Sequence, residues 1–147
     1  MKTLTPLTES EVKQLVSDWY LKLDIHAPVE ELLFMLANKT LKMQFPEGTV
    51  HGQDEFQTWY DRVIHTFFDE AHTMQALDIK TTLEQADIQL VVRWEASRWE
   101  APAPKSQRLA FDAAQRWVVK RSPLTQKPVI ETYIVDYLTP LAGFPNL

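Results

Sequence analysis

Apolar side chains recur at helical spacing near the start of the chain: Val12, Leu15, Val16, Trp19, Tyr20 and Leu23 fall on one face. Thr8, with Glu11 three residues later, predicts a capping box that begins this helix. The helix should end between Asp24 and Ala27, because Pro28 cannot extend it from within. Pro28 suits instead the first position of a short second helix, "PVEELLFMLA", with Glu30 and Glu31 in the turn where the helix dipole favours anions. "TLKMQFPEG" predicts a strand that stops at Phe45-Pro46, and "EGTVHGQ" a loop. A third helix starts near Asp54 and repeats the apolar period with Phe56, Trp59, Tyr60, Val63, Ile64 and Phe67.

From there the pattern reads as strands, roughly His72–Thr82, Ala86–Glu100, Gln107–Lys120 and Pro128–Leu138. The turn signals "EQAD", "APAPKS" and "RSPLTQKP" separate them. These strands exceed the usual length of about 5–6 residues, and long consecutive strands joined by short turns predict a curved antiparallel meander. The expected architecture is one α+β domain over 1–147, with its core at about 8–138 and the helices on one face of a bent sheet.

Composition narrows the function classes. With 147 residues, 45% of them hydrophobic, the chain can bury a sizeable core. It has no cysteine, so neither disulfides nor thiolate chemistry enter. "MKTLTPLTES" lacks the apolar run of a secretory signal, and no segment reaches the ~20 apolar residues of a membrane helix, so a cytoplasmic protein is expected. The net charge is −5, and Lys105, Arg108 and Lys120-Arg121 make no basic stripe. Neither nucleic acid nor an anionic membrane is therefore an expected partner.

"WYLKLDIHAPVEELLFMLANKTLKMQFPEG", "GQDEFQTWYDRV" and "IVDYL" resemble the first two helices and strand, the third helix and the closing strand of the nuclear-transport-factor-2-like superfamily. That superfamily includes SnoaL-like and ketosteroid-isomerase-like proteins. The resemblance runs from about Thr8 to Leu138 and implies a cystatin-like, cone-shaped α+β barrel. Its members include isomerases, polyketide cyclases, epoxide hydrolases, dehydratases and non-catalytic binding or scaffold domains, so fold alone selects no activity. It implies a cavity for a small apolar or amphipathic molecule, walled by Trp19, Tyr20, Phe34, Met35, Phe45, Trp59 and Trp117. The plainer reading is that these aromatics are simply core.

Two catalytic patterns of that superfamily can be laid on the chain. Ketosteroid isomerase needs a base carboxylate before the proline, where this chain has Phe45, and a later protonated carboxyl, where it has Ala114 with Asp112 displaced nearby. Only Tyr20 fits, so steroid-type isomerisation is not expected. Limonene-epoxide hydrolase uses two carboxylates bridged by an arginine. Arg93 and Glu95 stand where that family has Arg-x-Asp, Asp136 stands at its base, Gln44 stands near its amide, and Lys42 replaces its tyrosine. Arg93, Glu95 and Asp136 are thus the candidate catalytic residues, with Gln44 and Asp112 at the pocket.

Whether "RWE" faces a pocket depends on strand register. Arg93 and Glu95 share a face with Val91 and Ser97, and Ile88, Leu90, Val92, Trp94 and Ala96 share the other. Pairing Trp99 with Gln107 would set Glu95 beside Phe111 on the apolar side, and a one-residue slip would move it to the polar side. The turn fixes neither. Asp136 shares a face with Ile130, Ile134 and Leu138, so it is expected to line the cavity and pair with Arg93. Tyr133, Val135 and Tyr137 make the opposite face apolar too, which predicts a homodimer through the outer sheet face. His26, His51, His65 and His72 show no metal-ligand spacing, and three glycines build no phosphate loop, so no metal and no cofactor is expected. The expected activity, if catalytic, is cofactor-free acid/base chemistry of the hydrolase, isomerase, cyclase or lyase type. A non-catalytic binding module is the alternative.

Overall fold

The computed structural model describes residues 4–147. Thr8 opens helix α1 (Glu9–Asp24) with the expected capping box: its hydroxyl accepts the Glu11 N–H at 3.1 Å, and Glu11 accepts the Thr8 N–H at 3.2 Å. All six residues of the periodic face, Val12 to Leu23, are buried. Helix α2 (Val29–Leu33) is shorter than its apolar sequence suggests. Past Leu33 the backbone leaves the helix to bond across to Ile130, with Ile130 N–H donating to Met35 and Ala37 N–H donating to Ile130, both at 2.8 Å.

Strand β1 (Lys42–Phe45) does not run into a loop but turns into a second strand, β2 (Gly48–His51), which pairs antiparallel with it. This short, exposed edge strand carries no apolar alternation, so periodicity could not reveal it. Helix α3 (Gly52–Thr66) follows, then β3 (Phe67–Thr81), β4 (Ala86–Arg98), β5 (Gln107–Arg121) and β6 (Pro128–Pro140). The six strands form one sheet in the order β2-β1-β6-β5-β4-β3. The meander β3 to β6 is antiparallel as expected, whereas β1 joins β6 in parallel, which makes the sheet mixed.

The α+β architecture buries the inner sheet face under the helices. Trp19 of α1 is fully buried, with Phe56 of α3 at 5.8 Å, Trp117 of β5 at 6.4 Å and Tyr133 of β6 at 5.9 Å between ring centres. One aromatic cluster therefore ties both long helices to the middle of the sheet.

Arg121 closes the opposite end. Its guanidinium donates to both carboxylate oxygens of Glu11, at 2.8 and 3.0 Å, and to the carbonyls of Thr5, Pro6 and Gln126. The hydrogen bonds from Arg121 hold the Glu11 carboxyl down at about 2, below its ordinary 4.5. A depressed carboxyl stabilises the fold above its unfolded-state pKa and loses that contribution as pH falls. Arg121→Ala is expected to cost ~1–2 kcal/mol at neutral pH, discounted because Glu11 is about one-third exposed. In urea titrations the gap from the parent should shrink as pH drops from about 4.5 toward 2.

Candidate active site

The register of β4 on β5 answers the question about "RWE". Arg98 pairs with Gln107, which sets Arg93 opposite Asp112 and Glu95 opposite Ala110. Polar side chains meet polar ones on the outer face. There Arg93 donates to both oxygens of Asp112, at 3.0 and 3.2 Å. Asp136 lies at a bulge where Ala114 faces Tyr137 and Gln115 faces Val135. Register shifts on either side turn Ile130 and Leu138 inward and leave Asp136 with Ile134 on the outer face, where its carboxylate accepts from Arg116 at 2.8 and 2.9 Å. Arg93, Glu95 and Asp136 therefore do not converge: Arg93 and Asp136 belong to two separate ion pairs on the outer face. Asp136 does not pair with Arg93.

The expected pocket residues separate in the same way. Phe45 and Trp59 line an internal cavity of about 120 Å³, their rings stacked at 4.2 Å. Trp19 and Trp117 are packed into the core, and Tyr20 sits beside the cavity rather than on its lining. Phe34 is 69% exposed, Gln44 is exposed, and Asp112 lies on the outer face, so none of these three reaches the cavity. Phe34 and Gln44 miss because the backbone leaves α2 early and because β1 turns Met43, not Gln44, inward.

The cavity lies between α1, α3 and the inner sheet face. Its wall is mostly apolar, including Leu23, Val63, Val92, Trp94, Ala113 and Leu138. The polar groups on it are few: Glu47, Tyr60, Glu70, His72, Gln115 and Tyr133. Three of these, Glu70, His72 and Gln115, belong to connected networks.

Asp24 is the last residue of α1, at the negative end of the helix dipole, where a carboxylate is disfavoured. It is held there by His72 of β3. Asp24 Oδ2 accepts the His72 backbone N–H at 3.1 Å, and Oδ1 lies 2.5 Å from His72 Nδ1. A carboxylate can only accept, so Nδ1 carries a proton, and in the neutral imidazole Nε2 presents a lone pair. No protein group among the described residues hydrogen-bonds Nε2. The Tyr20 ring stacks on the imidazole at 4.8 Å, fixing its plane.

Tyr20 also connects this pair to Gln115. Burial, then the neighbouring Tyr133, pushes the Tyr20 phenol well above its ordinary value, so it stays a neutral donor. It donates to Gln115 Oε1 at 2.9 Å, and Trp117 Nε1 donates to the same oxygen at 3.0 Å. Trp117 Nε1 can only donate, so this oxygen is the acceptor, and the amide N–H side of Gln115, beside the Tyr133 phenol, is what it offers on the cavity wall.

A second histidine–carboxylate pair stands beside the first. Helix α1 ends in a Schellman motif, with His26 N–H donating to Leu23 and Ala27 N–H donating to Lys22. His26 occupies the left-handed position, at φ 51°, where glycine is usual. On β3, Asp69 at φ 49° is part of a bulge between Phe68 and Ala71, which sets Glu70 on the cavity wall. Glu70 pairs with His26 Nε2 and accepts from Trp94 Nε1 at 3.0 Å.

Sequence reasoning passed over Asp24, His26, Glu70 and His72. Two signals were present: an acid at a helix C-terminus, and matched spacings, Asp24-x-His26 and Glu70-x-His72. Among the described residues no group of three or more His, Cys, Asp or Glu is placed to hold a metal ion, and no helix is long and apolar enough to cross a membrane.

No protein-family model matches the sequence, and no curated protein matches it either. Solved structures do. A protein of unknown function with a cystatin-like fold from Nostoc punctiforme is 17% identical, with a TM-score of 0.69 over 99% of this chain and 100% of that one. A hexachlorocyclohexane dehydrochlorinase from Novosphingobium barchaimii is 16% identical, with a TM-score of 0.72 over 94% of this chain and 92% of its own. A nuclear-transport-factor-2-like protein from Salmonella enterica serovar Typhimurium is 14% identical, with a TM-score of 0.72 over 91% and 92%. The chain has a cystatin-like α+β fold, which it shares with these structures.

Proposed function

We propose that the protein binds a small, mainly apolar carbonyl compound and abstracts a proton from the carbon next to the carbonyl. The observation that carries this reading is the Asp24–His72 pair, whose free Nε2 belongs to a residue on the wall of an apolar cavity. In that pair the carboxylate fixes the imidazole tautomer and stabilises the imidazolium that forms when Nε2 takes the proton. Gln115 supplies N–H donors to the oxygen on which negative charge develops. A cavity of about 120 Å³ fits a molecule of about six heavy atoms, close to the size that admits benzene. The fold neighbour named a dehydrochlorinase is, by that name, an eliminating enzyme, and loss of hydrogen and chlorine too takes a proton from carbon.

The test is exchange of α-hydrogens of cyclohexanone in deuterated buffer, followed by proton NMR. Exchange above the buffer rate, lost in His72→Asn, supports the reading. Exchange at the buffer rate, or equal in both proteins, sinks it. That outcome favours a non-catalytic binding module, for which the observation is how much of the interior Trp19, Phe56 and Trp117 fill.

The outer sheet face is the proposed homodimer surface. Tyr137 stands out of it at 72% exposure, beside Val91, Ala114 and the Arg116–Asp136 pair. Sedimentation should give a dimer for the parent and a monomer for Tyr137→Glu. A monomeric parent would remove this surface from the proposal.

A further inference from the structure

Strand β3 carries chemistry that the cavity does not use. One of its edges is covered by β4, and among the described residues no strand covers the other. Bulges between Phe68 and Ala71 and between Met74 and Ala76 interrupt its first half, but from Ala76 to Thr81 the pairing with β4 runs unbroken. That stretch is regular enough to receive a further strand. Its side chains alternate. Leu77 and Ile79 point to the helix side and are half-buried, whereas Asp78 and Lys80 stand exposed on the outer face. Among the described residues neither charge has an ion-pair partner. Lys80 faces Asp87 across β4, but the Asp87 carboxylate accepts instead from Gln85 at 2.9 Å.

An open edge offers main-chain hydrogen bonds to any extended chain, and its side chains decide which chain fits. A copy related by a two-fold axis normal to the sheet runs antiparallel and keeps like faces together, so the axis must pass through a residue. Through Asp78 it would set aspartate on aspartate, and through Lys80 lysine on lysine. Through Ile79 it sets unlike charges opposite each other twice over. We propose that this edge docks a second copy of the chain, antiparallel, with Ile79 on the partner's Ile79 and Asp78 and Lys80 opposite the partner's Lys80 and the partner's Asp78. The inward side chains of the added strand then lie along the open groove between β3 and α1, lined by Lys13, Gln14, Ser17, Leu21, Met74 and Leu77. Residues 77–81 of the two copies give about four to six main-chain hydrogen bonds. A contact this small belongs to the weak class, so half-association is expected at about 0.1–1 mM. It is separate from the outer-face dimer, which sedimentation reads at lower concentration.

The tests are made in the Tyr137→Glu background, so that the outer face contributes nothing. The chain has no cysteine, so single cysteines report the register. Ile79→Cys meets its own copy at the axis, whereas Thr81→Cys stays about 13 Å from its copy along the strand, beyond the roughly 7 Å Cα reach of a disulfide. Under oxidation by copper phenanthroline, Ile79→Cys should form the linked dimer at least about tenfold faster than Thr81→Cys. Ile79 packs on the core, so two changes at exposed positions serve if that variant does not fold. Asp78→Lys and Lys80→Glu each set like charges opposite one another, and each should raise the half-association concentration in sedimentation at least about tenfold. An equimolar mixture of the two restores unlike charges and should associate at least as tightly as the Tyr137→Glu protein. Equal linking at positions 79 and 81, or charge variants that associate as well as their parent, overturns the second copy as the occupant of this edge. So does a Tyr137→Glu protein that stays monomeric to about 1 mM.

Discussion

His72→Asn is expected to reduce α-hydrogen exchange by about 10³-fold, to the level of buffer alone. Asparagine keeps a polar group of similar reach, but its amide nitrogen has no lone pair to accept a proton. Asp24→Asn should come close to the same loss for a different reason. Its amide can present an N–H to His72 Nδ1, which favours the tautomer protonated on Nε2, and the base is then turned into a donor. A drop of about 10³–10⁴-fold is the expectation for such a reversal in an Asp–His pair. Asp24→Glu separates chemistry from electrostatics, since it keeps the charge and shifts only its position. Thermal unfolding of each variant checks the attribution: activity should fall by orders of magnitude while the midpoint moves by a few degrees. If Asp24→Asn retained near-parental exchange, His72 would not be working as a carboxylate-oriented base.

The second large effect is on stability. Trp19→Ala should cost about 3–5 kcal/mol, the range for removing a fully buried aromatic side chain. Phe56, Trp117 and Tyr133 all pack on this one indole, so neither helix can close the gap without moving against the sheet. Trp19 Nε1 has no hydrogen-bond partner among the described residues, so deleting it leaves no acceptor unsatisfied. The loss should therefore follow the volume removed, and Trp19→Phe should recover a large part of it. Denaturant unfolding monitored by circular dichroism measures both. A cost for Trp19→Ala below about 1.5 kcal/mol would mean that the core collapses around the vacancy.

The elements were legible where one physical constraint dominated. The period of Val12 to Leu23 and the capping box at Thr8 and Glu11 set α1, and the long alternating runs with their turns set β3 to β6. The lost details each had a second constraint overriding the first. Strand β2 is too short and exposed for alternation, and α2 gives way to a backbone bridge with Ile130. The candidate site fared worse, because a charge on an apolar-looking strand was taken as a sign of a pocket. At Asp136 a bulge reversed the facing, and at Arg93 a register choice left open by "EAPAPKS" did. The two histidine–carboxylate pairs beside the cavity come from the end of α1 and from the bulged start of β3, where neither period applies: Glu70 and His72 stand on its wall, Asp24 and His26 behind them. Asp24 and His72 are 48 positions apart in the chain, and only the docking of α1 against β3 brings them together.

That docking has a mechanical side. Among the described residues strand β3 is the outermost of the sheet, held by β4 along one edge and with no strand along the other. Along that edge about every second residue of β3 directs its N–H and C=O outward, a template on which a further chain can pair, and bulged backbone is one way proteins discourage it. Asp24 grips the His72 main chain as well as its ring, so the helix end acts as a rivet on this border. Loosening the rivet would let the border fray and flatten, and flat open borders gather into fibres. The residue that orients the base is then also a guard of solubility, and selection on either property would preserve the other.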